Sequence, residues 1–161
     1  MTPLVPESWG STLREADGEH KGILVALWVP RPQAKQLARL GTEMPDQMHV
    51  TLAYCKSGTY EDAVRAMRAV AKKARSGLFG NVIGAGRFPP SKSSDDKHVL
   101  WAKPYVPGLA AFRSQVVKAL AKVGVKPKTT FAWTPHITLA YVDKTAQLPK
   151  VPHLPLRFNK L

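Results

Sequence analysis

The chain is expected to fold as an α+β protein built from two similar halves, and three observations lead there. Short apolar runs rich in β-formers alternate with amphipathic segments of helical period. One octapeptide occurs almost twice, as MHVTLAYC at 48–55 and PHITLAYV at 135–142. In each half an apolar strand and a helix precede it, so the order reads strand, helix, strand, helix, two strands, helix, strand, final strand.

Residues 1–21 are polar, carry Pro3 and Pro6 and end in a charged patch, which predicts a loose arm ahead of one domain over 22–161. GILVALWV at 22–29 is a buried strand ended by Pro30 and Pro32. The spacing of Ala34, Leu37, Ala38 and Leu40 predicts a short helix over 33–40, with Lys35 and Arg39 outward. After the first octapeptide a helix is expected over 60–75. Thr59 is its N-cap, Glu61 and Asp62 lie in its first turn, Lys72, Lys73 and Arg75 in its last, and Gly77 terminates it. NVIGAGRF (81–88) and HVLWAKPYV (98–106) read as strands joined by the turn-rich PPSKSSDD. A third helix over 108–123 presents Leu109, Phe112, Val116, Val117 and Leu120 on one side and stops at Gly124. The second octapeptide is the next strand, and LPLRFNKL begins a proline-marked edge strand.

With 161 residues, 44% of them hydrophobic, the chain has enough apolar side chain for one core. Its longest apolar run, 22–29, is too short to cross a bilayer, and no basic segment with a long apolar run opens the sequence, so no membrane span or secretory signal is expected. The single cysteine, Cys55, rules out an internal disulfide framework and is read as a core residue, not a nucleophile. The net charge of +13 is uneven: residues 63–161 hold eighteen Lys/Arg against three Asp/Glu, and residues 1–62 six against eight. Such an excess attracts polyanions, so a nucleic acid, a nucleotide or another phosphate ligand is one expected partner class, and plain solubility or nonspecific adhesion accounts for the charge equally well.

The two octapeptide copies carry the chemistry. HVTLAY and HITLAY differ only at Val50 against Ile137. Alternation along a strand puts His49 and Thr51 on one face and Val50, Leu52 and Tyr54 on the other, and likewise His136 and Thr138 against Ile137, Leu139 and Tyr141. If the halves are related by an approximate two-fold axis, both His-Thr pairs meet in one cleft. Cleaving a phosphodiester requires a proton to be taken from the attacking oxygen and one to be given to the leaving oxygen. Two histidines near neutral pKa serve both roles, while threonine hydroxyls donate to the non-bridging oxygens. No H-E-x-x-H, H-x-E or paired-cysteine motif accompanies the histidines, so neither a zinc site nor any cofactor is expected.

HVTL (49–52) and HITL (136–139) both match the H-x-[ST]-hydrophobic motif, and on these residues the chain resembles the 2H phosphoesterase superfamily. KGILVALWVP, VLWAKPYVPGL and FAWTPHITLAYV extend the resemblance from about 21 to 158, toward bacterial and bacteriophage members of the 2′-5′ RNA ligase-like type. The resemblance implies a bilobal, pseudo-two-fold fold, with antiparallel sheets and helices around a central basic cleft, and metal-independent catalysis. The implied substrates are RNA 2′,3′-cyclic phosphates, 2′-5′ linkages, cyclic nucleotides or cyclic oligonucleotides, the last as for phage anti-CBASS nucleases. His49 and His136 become the acid/base pair, and Thr51 and Thr138 the phosphate ligands. It further implies a monomer in bacterial or phage-infected cytoplasm; a virion accessory domain, or a nucleotide-binding module without turnover, is the rival reading. Similar members continue beyond LRFNKL into a further apolar strand, so either a shorter sheet or a truncated chain is expected.

Phe131 and Trp133 precede the second motif and are candidates to stack on a nucleobase, with packing as the competing role. Trp28 and Trp101 are assigned to packing. Arg87, Lys92, Lys97 and Lys103, on or near the middle strands, are candidates to add to the cleft's positive potential, with a solvated surface role preferred for each, and His20, His98 and His153, which lack a threonine two residues on, are read as non-catalytic.

Overall fold

The computed structural model describes residues 13–15, 22–73, 77–128 and 132–158. Along them run β1 (Leu13–Glu15), β2 (Ile23–Trp28), α1 (Arg31–Ala38), β3 (His49–Cys55), α2 (Tyr60–Lys73), β4 (Leu78–Phe88), β5 (His98–Tyr105), α3 (Leu109–Lys122), β6 (Ile137–Val142) and β7 (Leu154–Phe158). The expected α+β class and strand-helix order are present. Part of the expected arm is structured: Leu13–Glu15 pairs with β2, and the remainder of 1–21 lies outside the described residues.

Local chemistry explains most element ends. α1 starts two residues earlier than its apolar spacing implies, because Pro30 is the N-cap and Pro32 falls in the first turn, where a missing N–H removes no helical bond. At α2 the Thr59 hydroxyl accepts from the Asp62 amide at 3.1 Å, and Ala63, Val64, Ala66, Met67 and Val70 form its buried stripe. Arg75, expected in its last turn, lies outside the described residues. α3 is bracketed by Gly108 at φ 85° and Gly124 at φ 78°, and buries Leu109, Val116 and Leu120. The SSDD segment is a hydrogen-bonded turn: Ser91 and Ser94 cap each other's backbone, and Asp95 and Asp96 follow in the left-handed region.

The seven strands form one sheet in the order β1-β2-β3-β6-β5-β4-β7, every neighbouring pair antiparallel. Its halves repeat: β1-β2-α1-β3 corresponds to β4-β5-α3-β6, with α2 as the link and β7 as an added edge. Between the halves β3 and β6 share a single pairing, Val50 with Ile137, and both side chains are fully buried.

The halves also exchange parts. α3 lies against β3 and α2, and α1 lies beside β7. The segment after α3 adds to β3 through the Lys128 amide donating to the Tyr54 carbonyl at 2.8 Å and a Cys55–Pro127 bridge. The segment after α1 adds to β6, with the Thr42 and Glu43 amides both donating to the Leu139 carbonyl at 3.0 Å. One hydrophobic core therefore serves both lobes, with Leu27, Leu37, Leu52, Leu120, Ile137, Leu139 and Leu156 at its centre. Among the described residues no helix is long and apolar enough to cross a membrane.

Strict alternation through LAY fails in both motif strands. Pairing with β2 skips Leu52, and pairing with β5 skips Leu139, so each motif strand carries a bulge at the same position. Leu52 and Ala53 are buried together, as are Leu139 and Ala140, and the following tyrosines turn away from the core. Tyr54 is half-buried and Tyr141 exposed, which corrects their expected place in the core.

Candidate functional site

The Val50–Ile137 pair lies at the centre of both H-x-T motifs, so the molecular pseudo-axis passes through it. Two directly paired residues point to the same side of a sheet and their sequence neighbours to the other. With Val50 and Ile137 in the core, His49, Thr51, His136 and Thr138 share the opposite face on adjacent strands. All four are half-buried, shielded but reachable.

Both imidazoles are oriented alike. His49 Nδ1 lies 2.6 Å from the Gln47 carbonyl and His136 Nδ1 lies 2.8 Å from the Thr134 carbonyl, each two residues upstream. A carbonyl only accepts, so Nδ1–H is the donor in each, and Nε2 is the basic nitrogen of the neutral ring.

Their surroundings differ, and here the repeat is broken. Trp28 pairs with His49, its ring 4.8 Å away, whereas Ala26 pairs with Thr51. In the other half Trp101 pairs with Thr138, and Phe88 stands edge-on to His136 at 4.8 Å, with Trp101 at 6.1 Å. Burial under these rings pushes the His136 pKa below its ordinary value, against a smaller opposing effect from the Thr134 carbonyl. Trp28 and Trp101 thus do more than pack: they form the walls beside the two histidines. Pairing between strands distant in sequence places them there, a signal that composition does not carry.

Trp133 crosses between the halves. Its indole N–H donates to the Thr51 carbonyl at 2.8 Å, and the Arg113 guanidinium lies 5.0 Å over its ring while Arg113 Nε donates to the Leu52 carbonyl at 3.1 Å. These contacts satisfy β3 carbonyls where the sheet splays past its single bridge. Arg113 was not singled out by the sequence, since it lies within an amphipathic helix with no motif around it. Phe131 lies outside the described residues.

The remaining candidates separate from the site. Cys55 is fully buried at the far end of β3, and burial pushes its thiol up to about 11, away from nucleophilic use. Arg87 donates to the Ala146 carbonyl. Lys92, Lys97, Lys103 and His153 are exposed, and His20 lies outside the described residues. His98 opens β5, where with Lys97, Tyr141, Asp143 and Lys144 it lines an open depression of about 790 Å³ holding none of the four motif residues. Among the described residues no three His, Cys, Asp or Glu side chains converge as a metal-ligand set.

Solved structures similar to this one share its fold. Escherichia coli LigT, crystallised with 3′-AMP, superposes with a TM-score of 0.62 at 18% identity, covering 81% of this chain and 80% of LigT. TT0787 of Thermus thermophilus gives 0.55 at 19% identity, over 84% and 79%, and a third crystal structure, described as a phosphoesterase, gives 0.53 at 17%, over 81% of each chain. No curated protein sequence matches. A family model of the 2′-5′ RNA ligase superfamily spans residues 29–158 and takes in both motif strands, and the chain belongs to that superfamily of 2H phosphoesterases.

Proposed function

We propose that this protein is a metal-independent phosphodiesterase in which the two H-x-T motifs cleave a cyclic nucleotide, a cyclic oligonucleotide, or an RNA 2′,3′-cyclic phosphate or 2′-5′ linkage. The observation that carries the reading is the Val50–Ile137 pairing, which sets both motifs on one face. That the similar LigT was crystallised with 3′-AMP supports a nucleotide as the ligand.

The geometry suggests a division of labour. His136, held neutral by burial, takes the proton of an attacking water at Nε2. The water oxygen bonds to phosphorus, the bond from phosphorus to the departing ribose oxygen breaks, and His49, protonated, gives its Nε2 proton to that oxygen. The Thr51 and Thr138 hydroxyls, with the imidazolium, donate to the non-bridging oxygens as their charge grows.

The test is turnover in EDTA on a panel of 2′,3′-cyclic nucleotides, 2′-5′ oligoadenylates and cyclic di- and trinucleotides, with products resolved by mass. His49→Ala and His136→Ala are each expected to lower turnover about 10²- to 10⁴-fold. No turnover by the parent on any substrate, with nucleotide binding retained, replaces the enzyme with a binding module.

A further inference from the structure

The motif face does not end at the histidines. Pairings from Thr138 to Trp101, Trp101 to Gly86, Lys103 to Gly84, Tyr105 to Asn81 and Phe79 to Arg157 carry it outward across β5, β4 and β7. At its inner end Trp101 lies over Gly86, where a Cβ would overlap the indole. Further out the face is open: a Cβ on Gly84 would meet nothing within 4 Å. Tyr105 is 60% exposed and Phe79 51%, among the most exposed large apolar side chains of the described residues. Lys103, Asn81 and Arg157 are exposed beside them, and the Arg157 guanidinium lies 5.3 Å over the Phe79 ring.

Tyr105 pairs with Asn81, two residues from Phe79, so the two exposed rings lie near each other on one face, and grouped exposed apolar side chains mark an interaction surface. Here they alternate with cations. Trp101, Lys103 and Tyr105 stand at every second position of one strand, about 7 Å apart along it, close to one extended nucleotide step. Aromatic rings and guanidinium planes stack on bases of any sequence, and lysine neutralises the phosphate between them. This surface is continuous with motif strand β6 through the Trp101–Thr138 pairing.

We infer that the β5-β4-β7 face is a track for single-stranded oligoribonucleotide, with Tyr105 and the Arg157–Phe79 pair as base platforms and Lys103 on the backbone. The inference rests on the hydrolytic reading above and narrows it: the preferred substrate is an RNA chain whose end reaches the histidines, not a lone cyclic nucleotide.

The experiment measures affinity separately from chemistry. A labelled short oligoribonucleotide ending in a 2′,3′-cyclic phosphate, and 2′,3′-cyclic AMP as competitor, are bound to the His49→Ala/His136→Ala protein, where no turnover intervenes. The oligomer is expected to bind more tightly than the mononucleotide. Tyr105→Ala, and Phe79→Ala with Arg157→Ala, are each expected to weaken the oligomer roughly tenfold, with Tyr105→Phe restoring it. Lys103→Ala is expected to lower the log–log salt slope of binding by about one. Equal affinity for oligomer and mononucleotide, or oligomer affinity indifferent to the Tyr105 and Phe79 changes, overturns the track and leaves the face to a protein partner. Intact oligomer discrimination beside a parent inert on every substrate overturns the hydrolytic reading alone.

Discussion

His49 and His136 are twins in sequence and in backbone setting, yet the rings around them make them chemically unequal. Both have Nδ1 tied to a carbonyl two residues back, so Nε2 is the basic nitrogen of both neutral rings. Only His136 stands against both Phe88 and Trp101, and burial there disfavours its charged form. A base must be neutral, so the acid limb of kcat/KM is expected below the ordinary imidazole value of about 6.5, and Phe88→Ala is expected to move it upward by admitting water. A pH–rate profile checks both. An acid limb at or above that value, unmoved by Phe88→Ala, removes His136 as the base. The same shift has a sign for stability. The folded pKa lies below the unfolded one, so the unfolded chain takes up the proton first as pH falls below about 6.5, and stability declines there. His136→Gln is expected to flatten that decline in urea unfolding.

At the scale of the element, the twin bulges are what the repeated LAY encodes. Each motif strand inserts one leucine beyond the ladder, burying Leu52 with Ala53 and Leu139 with Ala140, and each freed leucine carbonyl finds a donor from the other half of the chain. Arg113 Nε serves Leu52, and the Thr42 and Glu43 amides serve Leu139. The approach of that second loop depends on Gly41, because a Cβ there would overlap the Leu139 carbonyl. Gly41→Ala is therefore expected to break or lengthen both bonds and to cost about 1–3 kcal/mol, read as a lower urea midpoint at unchanged slope. Arg113→Leu removes the matching donor and is expected to cost a similar amount. Loss at neither position counts against the bulge carbonyls as the points that hold the halves together.

Much of this was legible in the sequence, and the omissions share a cause. Helices and strands followed from periodicity and punctuation, and the H-x-T pairs from repetition, because these are local signals. Strict alternation puts Tyr54 and Tyr141 on the wrong side, because a bulge breaks the period of two without changing the composition. Trp28, Trp101 and Phe88 reach the histidines, and Arg113 the Leu52 carbonyl, through pairings and packings that join distant parts of the chain. No window of the sequence contains those contacts.

For the molecule as a whole, the single Val50–Ile137 pairing is a narrow joint between two lobes, and a joint of that kind invites independent unfolding. The exchange of parts argues the reverse. α3 belongs by sequence to the second half but lies against β3 of the first, and α1 belongs to the first but lies beside β7 of the second. Neither lobe keeps its core if the other opens, because Leu37 of α1 and Leu120 of α3 are fully buried in a common cluster. Unfolding is thus expected as one cooperative transition, with calorimetric and van't Hoff enthalpies equal, and with tryptophan fluorescence and circular dichroism coincident. Ile137→Ala, at the joint, is expected to lower stability by about 2–5 kcal/mol while leaving that transition single, since the cavity it opens weakens both lobes together. Two resolved transitions, in the parent or in Ile137→Ala, would show instead that the lobes hold separately and that the shared motif face is assembled by docking.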